Sequence, residues 1–185
     1  MQGSFYVAFG DVTVFCNILY RIEIVISADE NMLSTYREGK DIHTMTASQV
    51  FDVAPSEVTS EMRGKAKAVN FGIVYGIGAF SLAKDIGVSR AEADSYIKGY
   101  LEHFSGVRSY MKDVIEKAKE NGYVETVFAR RRYLPELTSS NAMMRAFGER
   151  VALNMPIQGT AADIIKIAMI RVYETLRKQC LKARL

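Results

Sequence analysis

Apolar and polar residues follow two different rhythms along this chain, and the change comes near residue 27. Residues 4–26, in the strings SFYVAF, VTVFCNIL and RIEIVI, crowd Val, Ile, Phe and Tyr and predict short strands with a turn near Gly10-Asp11. From Asp29 onward apolar positions recur three and four residues apart, which predicts helices. Two short ones, over 29–38 and 41–51, are separated by Gly39, and Pro55 opens a loop. Thr59 or Ser60 then caps a helix that Gly76 and Gly78 end after Tyr75. Ser89 with Glu92 has the form of a capping box at the head of a helix over 90–104, and a charged helix over 107–120 stops at Asn121-Gly122. YVETVFARRRYLPEL predicts a small hairpin with arginines at its tip. Residues 140–182 predict one long helix, bent or broken at Pro156 because proline has no N–H to donate. The expected fold is mainly α (α+β), a helical unit with short N-terminal β segments and a small β-hairpin.

Composition changes this picture little. At 185 residues, 49% hydrophobic and 24% charged, the chain can bury a core within one compact unit. A net charge of +3 permits a nucleic-acid partner without pointing to one. Cys16 and Cys180 have no spacing that suggests a disulfide framework or a zinc site, so a reducing, cytoplasmic setting is the default. Lys166 and Arg171 interrupt the apolar run over 164–172, and no basic segment precedes the apolar start, so neither a membrane span nor a signal peptide is expected.

The candidate chemistry lies in RGKAKAVNFGIVYG. Arg63, Lys67, Phe71 and Tyr75 follow one another at four-residue steps, which in an α-helix keeps them on nearly one face along about three turns. Such a stripe has the layout of a nucleotide: cations for a polyphosphate, one ring for a sugar and one for a base. The plainer reading is an amphipathic helix with solvated cations and packed aromatics.

The exact string decides between them, because it resembles motif B of the family A DNA polymerases, of the bacterial polymerase I type. The family pattern of Arg, Lys, Phe or Tyr, and Tyr-Gly, each separated by three residues, is met by Arg63, Lys67, Phe71 and Tyr75-Gly76 without a gap. REGKDIHTMTASQVFDV over 37–53, RRYLPEL from Arg131, and ERVALNMPIQGTAADIIKIAM ending at Met169 are similar to the same family in the same order. The likeness extends over roughly residues 27–178. It implies a DNA-directed DNA polymerase segment that binds an incoming deoxynucleoside triphosphate and primer-template DNA, with 29–139 as fingers, 140–185 as palm-associated helices and 1–28 as a degenerate palm-like β segment. By resemblance Arg63, Lys67 and His43 contact the triphosphate, Phe71 lies by the sugar, and Tyr75 moves beside the template base. Arg150, Asn154 and Gln158 match positions that hydrogen-bond the primer-template near its terminal pair, with Pro156 making their shared side less regular. Arg131, with Arg130 and Arg132, is a further candidate for backbone phosphate. Gly76-Ile77-Gly78 is too weak a signal for a phosphate loop.

One departure concerns metal. The family uses Mg²⁺, and polymerases hold two divalent ions roughly 3.5 to 4 Å apart on paired carboxylates. Aligned on Ile22-Glu23, the first of those carboxylate positions falls on Ile18 or Leu19, neither of which binds metal, and no His-Asp-Glu strand is present. Asp11 has no family match and Asp29 heads a helix, so neither is expected to replace it. Glu23 matches the glutamate that guards the sugar pocket against a 2'-hydroxyl. The chain is therefore expected to be inactive alone and to need the missing palm and thumb portions of a polymerase, with a nucleoid-associated location. A noncatalytic nucleotide- or DNA-binding module and a ligand-free helical scaffold are the alternatives.

Overall fold

The structure is a computed structural model and describes residues 12–179. Its first element corrects the sequence expectation, because Val12–Ser27 is a helix, α1, and not a set of strands. Residues 1–11, with the expected turn at Gly10-Asp11, lie outside the described residues. Leu19, Ile22, Glu23 and Ser27 are buried while Arg21 and Val25 are exposed, a spacing of three and four that belongs to a helix. The β-branched residues are recruited by packing: Leu19 and Ile22 meet Ile157 and Ala161 from the far end of the chain.

Side-chain caps then set the next helices. Asp29 accepts from the N–H groups of Asn31 and Met32 to open α2, Glu30–Arg37. Asp41 accepts from Thr44 N–H to open α3, Ile42–Val50, and after a 3₁₀ turn at Pro55–Glu57 Thr59 accepts from Met62 N–H to open α4, Ser60–Val74. Each cap satisfies a donor that the helix itself leaves unpaired. The sequence reading placed no element over 79–86. There the structure has α5, Ala79–Ile86, whose Leu82, Ala83 and Ile86 turn inward. The capping box of Ser89 and Glu92 is formed at the head of α6, Arg90–His103. α7, Ser105–Asn121, ends in left-handed Gly122.

A two-stranded antiparallel hairpin follows, β1 Tyr123–Glu125 and β2 Arg131–Tyr133, with Glu125 opposite Arg131. The turn at its tip is Thr126 to Ala129, so Arg130 closes the connection while Arg131 and Arg132 stand on the returning strand and not at the tip. Thr126 imposes this, since its N–H reaches Arg130 O, its carbonyl takes Ala129 N–H, and its hydroxyl accepts from Phe128 and Arg130. After a 3₁₀ turn at Pro135–Thr138, α8 runs from Ala142 to Lys178, capped by Asn141. α8 is not broken at Pro156. The proline forfeits one bond toward Ala152, but Pro156, Ala152, Leu153 and Ile157 are all buried and packing holds the turn.

The main core lies between α2 to α7, around Met32, Val69, Ile73, Leu82, Tyr100 and Phe104. A second cluster, with Ala118, Val124, Leu134, Leu137 and Ala152, seats the hairpin on α7 and α8. α4 is thus fixed on one side by α3 and α5 and reaches α8 at its C-terminal end.

Candidate functional site

Four-residue spacing on α4 does place the stripe on one side. Lys67 Nζ sits 5.9 Å from the centre of the Phe71 ring, and Phe71 and Tyr75 line one open cleft of about 600 Å³. Gly72, Ile77, Ser81 and Arg150 complete that cleft, which brings the base of α8 to the end of α4.

The joint at Tyr75 is a Schellman cap. Gly76 N–H donates to Ile73 O and Ile77 N–H to Gly72 O, both at 2.8 Å, with Gly76 at φ +66°. A Cβ on Gly76 would stand 3.1 Å from Arg150 Cγ and 3.4 Å from Arg150 Cα. Only glycine meets both demands, so Gly76 closes the helix and lets α8 approach Tyr75, which is 36% exposed.

At the cationic end α3 joins the stripe. Arg63 Nε and Nη2 donate to Asp41 Oδ2 and Oδ1 at 2.8 and 2.9 Å, a bidentate pair half open to solvent. Burial alone would raise the Asp41 carboxyl, but hydrogen bonds from Arg63 and Thr44 outweigh it and hold the group well below the ordinary carboxylate range. His43, two residues on, has its ring centre 5.8 Å from that of Phe71 at a tilt of 48°, and its Nδ1 lies 2.9 Å from Asn70 Nδ2. Burial pushes His43 down to about 4; Asp41 opposes this, and Arg63 and Lys67 reinforce it. At neutral pH the ring is uncharged, with the Asn70 amide set against Nδ1. Two cations, a neutral imidazole and an aromatic face therefore share one surface.

Arg150, Asn154 and Gln158 lie on one side of α8, and because the helix continues through Pro156 their register is kept. Arg150 is exposed, with its guanidinium 6.0 Å from the Phe147 ring. Asn154 and Gln158 are half-buried, and Asn154 Oδ1 is enclosed without a hydrogen-bond partner. The arginine run divides by role. Arg130 binds Asp163 Oδ1 at 2.7 Å and Gly159 O at 3.0 Å, pinning the hairpin to α8, while Arg131 pairs with Glu125 at 2.9 Å and stacks on Tyr123 at 4.5 Å. Arg132 is exposed on the strand.

Glu23 does not join the stripe. It is 2% exposed, enclosed by residues that include Ile73, Val107, Tyr110 and Leu153. Burial raises its carboxyl to about 8, against a lowering hydrogen bond from Tyr100 and with a further rise from Asp29. The helical course of α1 turns it inward, where the sequence reading had expected it beside a sugar. Asp41 and Asn70 were missed. A signal for Asp41 was available in its place as an N-cap two residues before His43.

Among the described residues no group of three or more His, Cys, Asp or Glu is placed to hold a metal ion. Asp29 is committed to capping, with Oδ1 on α2 and Oδ2 accepting from Gly106 N–H at 2.7 Å. No described helix is long and apolar enough to cross a membrane.

Comparison with known proteins gives a consistent result. The profile of DNA polymerase family A matches residues 14–185, which reaches past both ends of the resemblance seen in the sequence. DNA polymerase I of Bacillus subtilis is 53% identical over 171 residues, covering 92% of this chain and 19% of that protein. DNA polymerase I of Geobacillus stearothermophilus is 48% identical over 171 residues, 92% of this chain and 20% of the other. Among solved structures, the POL domain of Pol1 from M. smegmatis, in complex with DNA primer-template and dNTP, superimposes with a TM-score of 0.84 at 44% identity. It covers 90% of this chain and 30% of that chain. The chain thus spans about a fifth of the length of these curated relatives.

Proposed function

This chain belongs to DNA polymerase family A, and from that premise we propose that it is the segment of a DNA-directed DNA polymerase that receives the incoming deoxynucleoside triphosphate and the primer-template. One observation carries the reading: Arg63, Lys67, His43 and Phe71 meet on one surface although His43 comes from a different helix. Cations of this kind stabilise the negative charge on a departing pyrophosphate. The two cations take the polyphosphate, His43 adds a neutral imidazole, Phe71 lies against the sugar, and Tyr75 borders the cleft for a base. Arg150, Asn154 and Gln158 face the minor-groove edges that all correct pairs share. Arg131 is committed to Glu125 and Tyr123, which makes Arg132 the better candidate in that run for backbone phosphate. Residues 29–139 are read as fingers and 140–185 as palm-associated helix, and the location as the nucleoid.

Mg²⁺ supplies Lewis acidity at the reacting phosphate in such enzymes, and among the described residues no cluster of three or more His, Cys, Asp or Glu is placed to hold it. The same observation favours a second reading, a nucleotide- and DNA-binding module without catalysis. Two measurements test the site that both readings share. Titration with a fluorescent deoxynucleoside triphosphate is expected to show Lys67→Ala weakening binding by about 1 to 3 kcal/mol, less at high salt; equal affinities would remove Lys67 from the site. Incubated with primer-template, Mg²⁺ and all four triphosphates, the chain alone is expected to leave the primer unextended. Extension that vanishes in Lys67→Ala would show that a metal site exists here.

A further inference from the structure

Arg63 presents to Asp41 the same edge that it would present to a phosphate. The guanidinium fork matches a carboxylate and a phosphate in the same bidentate manner, and here Nε and Nη2 are both taken, at 2.8 and 2.9 Å. We propose that Asp41 is a positioning residue that holds this edge of Arg63 in the ligand-free state, so that a triphosphate must exchange with the carboxylate to engage Arg63 in full. The proposal rests on the nucleotide-binding reading above.

Three features support exchange over a permanent structural bond. Both side chains remain about half exposed, 47% and 42%, so neither is stranded in a dry interior when the pair opens. Asp41 keeps other partners after release, because Oδ2 also accepts from Thr44 N–H at 2.9 Å and Thr44 Oγ1 at 2.7 Å. The pair also stands where α3 meets α4, with His43 two residues beyond Asp41 and Lys67 one turn beyond Arg63. A polyphosphate that reaches Lys67 and His43 together gains what a single small anion cannot, so the carboxylate biases the site toward ligands carrying several phosphates.

The test compares the full chain with Asp41→Asn, Arg63→Ala and the double variant, titrated with a fluorescent deoxynucleoside triphosphate. Asparagine caps a helix as well as aspartate does, so α3 keeps its N-terminus while the charge is removed. Asp41→Asn is expected to tighten binding about twofold to fivefold, the size set by a half-exposed ion pair, and the gain is expected to disappear in the Arg63→Ala background. Damage to the fold weakens a site and does not strengthen it, so a gain is not a structural artefact. Asp41→Ser, which also caps but cannot pair with arginine, should reproduce it. Unchanged or weaker binding by both Asp41 variants, with Arg63→Ala still weakening the site, overturns the proposal alone. A gain that persists without Arg63 also overturns it, as a plain effect of net charge. If neither Arg63→Ala nor Lys67→Ala weakens binding, the nucleotide-binding reading fails and this inference falls with it.

Discussion

His43 and Glu23 show how burial, the largest influence on both, sets two opposite dependences on pH. His43 falls from 6.5 to about 4 on folding, so between those values the unfolded chain binds the extra proton. Its contribution is therefore complete above about pH 6.5 and is lost as the pH falls toward 4. Glu23 rises from 4.5 to about 8, so over that range the folded chain holds the extra proton, and stability from this group declines as pH increases. Thermal melts across pH are expected to show His43→Gln losing less stability than the native chain between pH 6.5 and 4. Glu23→Gln, which mimics the protonated acid, is expected to melt higher than the native chain at pH 8 and close to it at pH 4. Parallel curves for Glu23→Gln and the native chain would mean that Glu23 is ionised in the fold. Glu23 was legible as a residue of interest, but its inward direction was not, because that depends on α1 being a helix packed under Ile73 and Leu153.

Among the elements, the end of α4 has the narrowest tolerance. A side chain at Gly76 must adopt φ +66° and also sit against Arg150, whose Cα would be 3.4 Å away. Left-handed backbone costs an L-residue about 1–2 kcal/mol, and the crowding adds to it, so Gly76→Ala should lower the urea midpoint by at least that equivalent. It should also displace Tyr75 from the cleft, read as altered fluorescence of a base analogue bound there; a midpoint equal to the native one would show that the cap is not strained. This element was legible from the spacing, the Thr59 cap and the paired glycines. The strands expected over 4–26 were not there from Val12 on, since a run of Val and Ile carries no record of the α8 surface it packs against.

At the scale of the whole molecule, the distal half of α8 leaves Met169, Ile170, Val172 and Tyr173 exposed along one stretch. An apolar face of this kind on an isolated chain tends to find a partner. Sedimentation at micromolar concentration is expected to show self-association, reduced in Ile170→Lys; a native chain that is strictly monomeric would show that this face is tolerated in water.

Sequence by itself determined the Thr59 cap, the Ser89 and Glu92 capping box, the one-sided stripe on α4 and the family, because these depend on neighbours three or four positions apart or on strings matched whole. Tertiary structure decided what each candidate touches. It made α1 a helix, carried α8 through Pro156, set Arg131 and Arg132 on a strand and gave Arg63 to Asp41. Each of these depends on contacts between residues far apart in the chain, where burial and pairing outweigh local propensity, and no spacing along the sequence encodes which distant surface will supply them.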